Sequence, residues 1–223
     1  MRGDRVARCA AAWALVAAAS GMLGCGDDEG PAPYGPEKTE ILTPNAPPLP
    51  GESECRVVKT TGIEVPSAAH VGTCEDVAYE TNPPAGGNHW GTWAAFKKYA
   101  MPVPREVYVH DMEHGAVVLS FRCADGCPDV VAALEKVFDE AAADPLCVSG
   151  GAGPKARLVL TPDPHLPTPI AASAWGATYT ATCIDTASLA AFVTEAYGRG
   201  PETTCAAGVD LEAPGATPLC EGS

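Results

Sequence analysis

Three of the five histidines, His89, His110 and His114, fall between Thr81 and Phe121, together with the aromatic residues Trp90, Trp93 and Tyr108. The sharpest element is His110-Asp111-Met112-Glu113-His114. Histidines four apart share one side of the backbone in a helix, where i and i+4 stack, and in a strand, where alternate residues share a face. Either way they form a bidentate seat for a transition metal, and His89 can add a third nitrogen from the glycine-rich loop upstream. Three imidazoles with an open position would suit zinc that activates water. Copper gains if the soft thioether of Met112 joins, which requires a strand, because a helix turns Met112 away.

The neighbouring carboxylates have two available roles. Asp111 and Glu113 can accept from the imidazoles and fix their tautomers, or Glu113 can act as general base on a metal-bound water. His110 to His114 matches the H-x-x-E-H pattern of inverted zinc peptidases. That pattern needs a long helix, whereas Gly115 and a β-rich run follow directly, so a solvated Glu113 fits better than a catalytic one. The bland alternative is that all three histidines cap turns or bond buried carbonyls.

Around these residues the chain resembles a bacterial family known as domain of unknown function 3105. The resemblance is carried by Pro83-Pro84-Ala85-Gly86-Gly87-Asn88-His89, by Pro102-Val103-Pro104 and by Val109 to Val118, and runs from about Tyr79 to Tyr197. It implies domain limits but no chemistry. The family usually has Leu where Met112 stands and often Pro where Asn88 stands, so neither is expected to be a ligand throughout the family.

Before that region, Arg2, Arg5 and Arg8 precede an apolar run from Cys9 to Ala19. This is the n-region and h-region of a secretory signal, and the run is too short to span a bilayer, which takes about 20 apolar residues. Leu23-Gly24-Cys25 resembles a bacterial lipobox. Residues 1–24 are therefore expected to be removed and Cys25 lipidated, anchoring the protein to the membrane of the bacterial cell envelope. With no Asp directly after Cys25, the outer membrane or cell surface is the expected address. Residues 25–51, rich in proline from Pro31 to Pro50, read as an extended tether.

Residues 52–223 have the composition and size of a single globular domain. The formal net charge of −14 becomes −16 when Arg2, Arg5, Arg8 and Asp4 leave with the signal. A domain this acidic, with no basic run, excludes charge-driven binding of nucleic acid or anionic lipid and suits cations. Of ten cysteines, Cys9 and Cys25 belong to the export segment. Cys55, Cys74, Cys123, Cys127, Cys147, Cys183, Cys205 and Cys220 form an even set that reads as disulfides in an oxidising compartment. Roughly a hundred connectivities are open. Proximity favours Cys55 with Cys74 and Cys205 with Cys220, with the middle four paired among themselves.

Periodicity and punctuation predict a short helix capped by Thr92 and stopped by Pro102. Pro104 to His114 has a helix's punctuation but strand-favouring Val107, Tyr108 and Val109. A strand over 116–122 precedes an amphipathic helix over 128–143. Strands follow over 157–161 and over 170–182 with a bend at Gly176, and Asp185 caps a last helix ended by Gly198. This pattern gives an α+β fold: one small mixed or antiparallel sheet with helices on one face, stabilised by disulfides, the His-rich segment at the sheet's edge. Ser67, Ser120, Ser149 and Ser173 lack a nucleophile elbow, Gly150 to Gly153 lacks a phosphate loop's ending, and His165 reads as a solvated turn residue. The preferred reading is a lipid-anchored metal-binding protein without turnover, holding zinc or copper. The alternatives are a metal-dependent hydrolase or oxidase on the same site, and an envelope interaction module with structural histidines.

Overall fold

The computed structural model describes residues 34–123, 126–149 and 153–220. The predicted signal, the lipidation site Cys25 and the first part of the tether lie outside the described residues. The elements run β1 (Lys38–Leu42), β2 (Val57–Thr61), β3 (His70–Val71), β4 (His89–Trp90), α1 (Arg105–Glu113), β5 (Val117–Phe121), α2 (Pro128–Glu140), α3 (Pro145–Val148), β6 (Leu158–Pro162), β7 (Ile170–Ala174), β8 (Ala177–Ala181) and α4 (Thr186–Ala196). Six strands form one mixed sheet in the order β1-β2-β8-β7-β5-β6. Only β5 and β6 run parallel within it, with α2 and α3 in the connection between them. Parallel neighbours need such a crossover, while β7 and β8 are antiparallel and joined by a tight turn at Trp175 and Gly176. The expected bent strand over 170–182 is thus a hairpin.

Strand alternation divides the interior in two. Val117, Leu119, Leu158, Leu160, Ala172 and Tyr179 point to one face, against Val130, Leu134 and Val137 of α2 and Leu189, Phe192 and Val193 of α4. Val118 and Val159 point to the other face, against Val107, Tyr108 and Met112 of α1 and the loop residues Trp90, Ala94, Phe96 and Tyr99. The α+β class stands, but the helices occupy both faces. Helix α1 packs on the face of the sheet over β5, one strand in from the β6 edge, rather than at the edge itself.

The expected tether, residues 25–51, contains part of the sheet. Lys38–Leu42 is the edge strand of the sheet, pairing antiparallel with β2, and Leu49 donates to Thr182 O at 2.8 Å. Four of its five residues are exposed and it carries Lys38 and Glu40, charges that suit a solvent-facing edge. The prolines on either side, Pro36 and Pro44, mask this short strand. The expected helix from Thr92 is absent as well. A helix of two turns is marginal in water. Here the segment's backbone groups find partners elsewhere: Ala95 N donates to Val209 O at 2.8 Å and Tyr99 N to Leu160 O at 2.8 Å, so the loop covers the β6 edge. Asp185 does stand at the start of α4, without a side-chain cap bond.

The proximity pairing of cysteines is corrected for Cys55, Cys74, Cys205 and Cys220, and of the middle four only Cys123 and Cys127 pair with each other. The bridges are Cys55–Cys183, Cys74–Cys220, Cys123–Cys127 and Cys147–Cys205. Three of them join residues separated by 58 to 146 positions, because the fold sets segments distant in the chain side by side. Replacing Cys74 and Cys220 by Ser is expected to cost about 2–5 kcal/mol, the usual worth of a long-loop bridge. A urea midpoint measured beside the parent checks it. Among the described residues no helix is long and apolar enough to cross a membrane.

Candidate metal centre

The ambiguity at His110 is resolved as helix. Pro104 O accepts from Val107 N at 3.0 Å and Tyr108 N at 3.1 Å, opening the first turn of α1. Every residue from Val107 to Glu113 is buried, so the strand preference of the three β-formers gives way to a helix sandwiched between sheet and loop. The helix stops in a Schellman motif: Gly115 N donates to Met112 O at 2.9 Å and Ala116 N to Asp111 O at 3.0 Å. Gly115, at φ +83°, supplies the left-handed residue which that motif requires.

Helical spacing places His110, Glu113 and His114 on one side and turns Asp111 and Met112 elsewhere. His89 reaches the same point from β4, and β4 pairs in parallel with β3 so that His70 stands beside His89. Asn88 locks this pairing, its Oδ1 accepting from Ser67 Oγ at 2.6 Å and from Ala69 N at 3.1 Å. One ligand atom from each of His70, His89, His110 and Glu113 lies within 4.8 Å of every other. Glu113 Oε2 is the hub, 3.0 Å from His89 Nε2, 3.7 Å from His70 Nε2 and 3.9 Å from His110 Nε2.

The remaining ring nitrogens explain why Nε2 is offered. His89 Nδ1 faces Gly87 O at 2.8 Å, and His110 Nδ1 faces Trp90 O at 2.8 Å. A carbonyl only accepts, so Nδ1 carries a proton in both rings and Nε2 is the nitrogen turned inward, where His89 Nε2 meets Glu113 Oε2 at 3.0 Å and a metal ion would take its lone pair. Carbonyl acceptors behind metal-binding imidazoles are the usual outer support of such centres. A tetrahedral ion about 2.0–2.1 Å from each donor needs donors about 3.3 Å apart, and the three distances from Glu113 bracket that value. The His/Glu group can therefore hold a metal ion. His89, His110 and Glu113 are buried, while the His70 side chain is 57% exposed and opens the centre to solvent.

Each expected site residue has a definite place. His89 and His110 belong to this group, with Trp93 against His110 at 5.1 Å between ring centroids. His114 lies alongside, its ring 4.6 Å from that of His110, in a neighbouring group with Glu113 and Glu202. Glu113 is 7% exposed, so the expectation of a solvated carboxylate is overturned. Asp111 fixes no imidazole tautomer; its Oδ2 accepts from Ala94 N at 3.2 Å and ties the loop to α1. Burial holds the Asp111 carboxyl well above its ordinary range. Met112, fully buried in the apolar cluster, stands away from the ligand groups. His70 and Glu202 were missed: neither has a partner at ligand spacing, and only the even scatter of histidines around the PPAGGNH block hinted at His70.

Burial pushes the His110 imidazole down to about 4, opposed by the Trp90 carbonyl and reinforced by the neighbouring His114, His89 and His70. Unfolding returns the ring to its ordinary value, so the unfolded chain takes the proton first. The metal-free domain is therefore expected to hold its full stability above pH 6.5 and to lose about 2–3 kcal/mol as pH falls towards 4. Urea unfolding of chelator-treated protein across this range tests it, and a flattened profile in His110→Gln assigns it.

No curated protein and no solved structure matches the chain. The family described as "Protein of unknown function (DUF3105)" matches residues 70–207, a span that starts at His70 and includes Glu202. A buried His/Glu centre on a disulfide-braced α+β scaffold is thus what this chain presents as a member of the DUF3105 family, to which it belongs.

Proposed function

We propose that the protein is a lipid-anchored, extracytoplasmic zinc-binding protein whose centre is His70, His89, His110 and Glu113. The observation that carries this reading is the convergence of three imidazoles on the Oε2 of Glu113 at 3.0–3.9 Å, two of them with the far nitrogen on a backbone carbonyl. Zinc is preferred to copper because the donor set is nitrogen and oxygen, while the one nearby soft group, Met112, is packed in the core. Binding is preferred to hydrolysis because Glu113, surrounded by three imidazoles, is not left over to act as a general base on water. The anchor is supported by Leu23-Gly24-Cys25 behind the signal-like segment, and the extracytoplasmic side by that segment together with four bridges.

The test is metal content by mass spectrometry of the full-length protein purified in detergent, beside a His89→Ala/His110→Ala variant. Zinc bound in the parent at one equivalent or more, and lost from a variant that keeps its near-ultraviolet circular dichroism, is the expected result. A parent that takes up no ion after reconstitution overturns it. In the same preparations, the mass of the N-terminal peptide reads the anchor, which Cys25→Ala should abolish.

A further inference from the structure

The corner of the molecule next to this centre holds donors that a single ion does not use. We propose that Glu113, His114 and Glu202 bind a second divalent transition-metal ion, with the Glu113 carboxylate shared between the two ions. The inference rests on the metal-binding reading above. One ligand atom from each of the three residues lies within 4.8 Å of the others, and His114 Nε2 is 3.3 Å from Glu202 Oε2.

Two independent features mark this corner as built. His114 is 4% exposed, yet its Nδ1 has no hydrogen-bond partner among the described residues. Its other ring nitrogen, Nε2, is the one that faces Glu202, so a cation between the two would take Nε2 and leave the ring proton on Nδ1. Trp93, with its ring 4.9 Å from that of His114, walls the same side.

The second feature is the seating of Glu202. Its backbone N donates to Glu113 O at 3.0 Å, and Gly198 N donates to Gly115 O at 2.9 Å. Gly200 between them packs so tightly that a Cβ there would stand 2.2 Å from Glu113 O and 2.5 Å from Met112 O. The tail is thus clasped to the end of α1, and Cys205, three residues on, is bridged to Cys147. A side chain on an otherwise irregular tail is delivered to the centre by its backbone.

Charge balance points the same way. Glu202 brings a second carboxylate towards Glu113, and Arg157, which reaches His114 O, is paired with Asp144 at 3.0 Å. Two ions about 3.5–4 Å apart and bridged by one carboxylate are a recurrent arrangement in proteins. With one nitrogen and two oxygens, and with Glu202 57% exposed, the second position is harder and more open than the first. It suits exchangeable zinc, manganese or cobalt.

The full-length protein in detergent, stripped with chelator, is titrated with Zn²⁺ and counted by mass spectrometry after gel filtration. Two ions per chain are expected, the second at least about tenfold weaker because it has fewer and more exposed protein ligands. Glu202→Gln, an exposed change, and separately His114→Gln should each retain one ion with its affinity nearly unchanged. Loading with Co²⁺ adds a direct readout: the paramagnetic resonance of the first equivalent should be broadened or quenched by the second. One ion in the parent, or two ions kept by Glu202→Gln, overturns the second position and leaves the first standing. No ion in the parent overturns both.

Discussion

Glu113→Ala is expected to empty the centre, lowering zinc affinity by more than about 100-fold, beyond the 10–100-fold typical of losing an outer support. Among the described residues the Glu113 carboxylate faces His70, His89 and His110 together, so removing it leaves three imidazoles with no anionic ligand to balance a divalent ion. Stability of the metal-free protein should fall by about 1–3 kcal/mol, because the deletion leaves the buried His89 Nε2 without its carboxylate partner. Competition with a coloured zinc chelator reads the affinity, and urea unfolding reads the stability. A variant that binds within threefold of the parent would remove Glu113 from the centre. Shared occupancy at the second position predicts that this one change also abolishes uptake of the second ion.

Met112→Ala should act on packing instead: a loss of about 2–5 kcal/mol in stability, the range for deleting a buried Met side chain, with zinc affinity preserved in the folded protein. Met112 is fully buried among Trp90, Val103, Val107, Tyr108 and Val118, and it stands one residue from Glu113 yet on the far side of α1. Met112→Leu, close in volume, should cost less than about 1.5 kcal/mol. If Met112→Leu lowered metal affinity while unfolding like the parent, the thioether would be a ligand and copper would return as the preferred ion. The contrast between neighbouring residues separates the chemistry of α1 from its packing.

How much of this was legible in the chain depends on the range of each signal. Local periodicity was enough for α2, β5, β6 and α4, because such spacing acts within a few residues, while at α1 the Pro104 and Gly115 boundaries pointed to helix against the strand preference of Val107, Tyr108 and Val109. It failed at Thr92, where a segment short enough for either outcome was captured by the tail and by β6. It also failed at β1, where prolines on both sides hid five residues of strand. Composition suggested bridges among eight cysteines, but each long-range partner depends on which strands become neighbours.

The same division runs through the centre. The chain alone placed His110 and His114 on one side of the backbone, since spacing of four does so in helix and strand alike, and put His89 after a glycine-rich loop able to present it; that the segment is a helix, which brings Glu113 to the same face, came from packing. That His70 joins them follows from packing alone, through the parallel pairing of β3 with β4 some nineteen residues apart. So do the arrival of Glu202 from the tail and the turn of Met112 to the core. A helix period carries information over one or two turns. Which distant donors meet is set by sheet order, by the fit of Gly200 against α1 and by the Cys74–Cys220 and Cys147–Cys205 bridges, and these are properties of the packed chain as a whole.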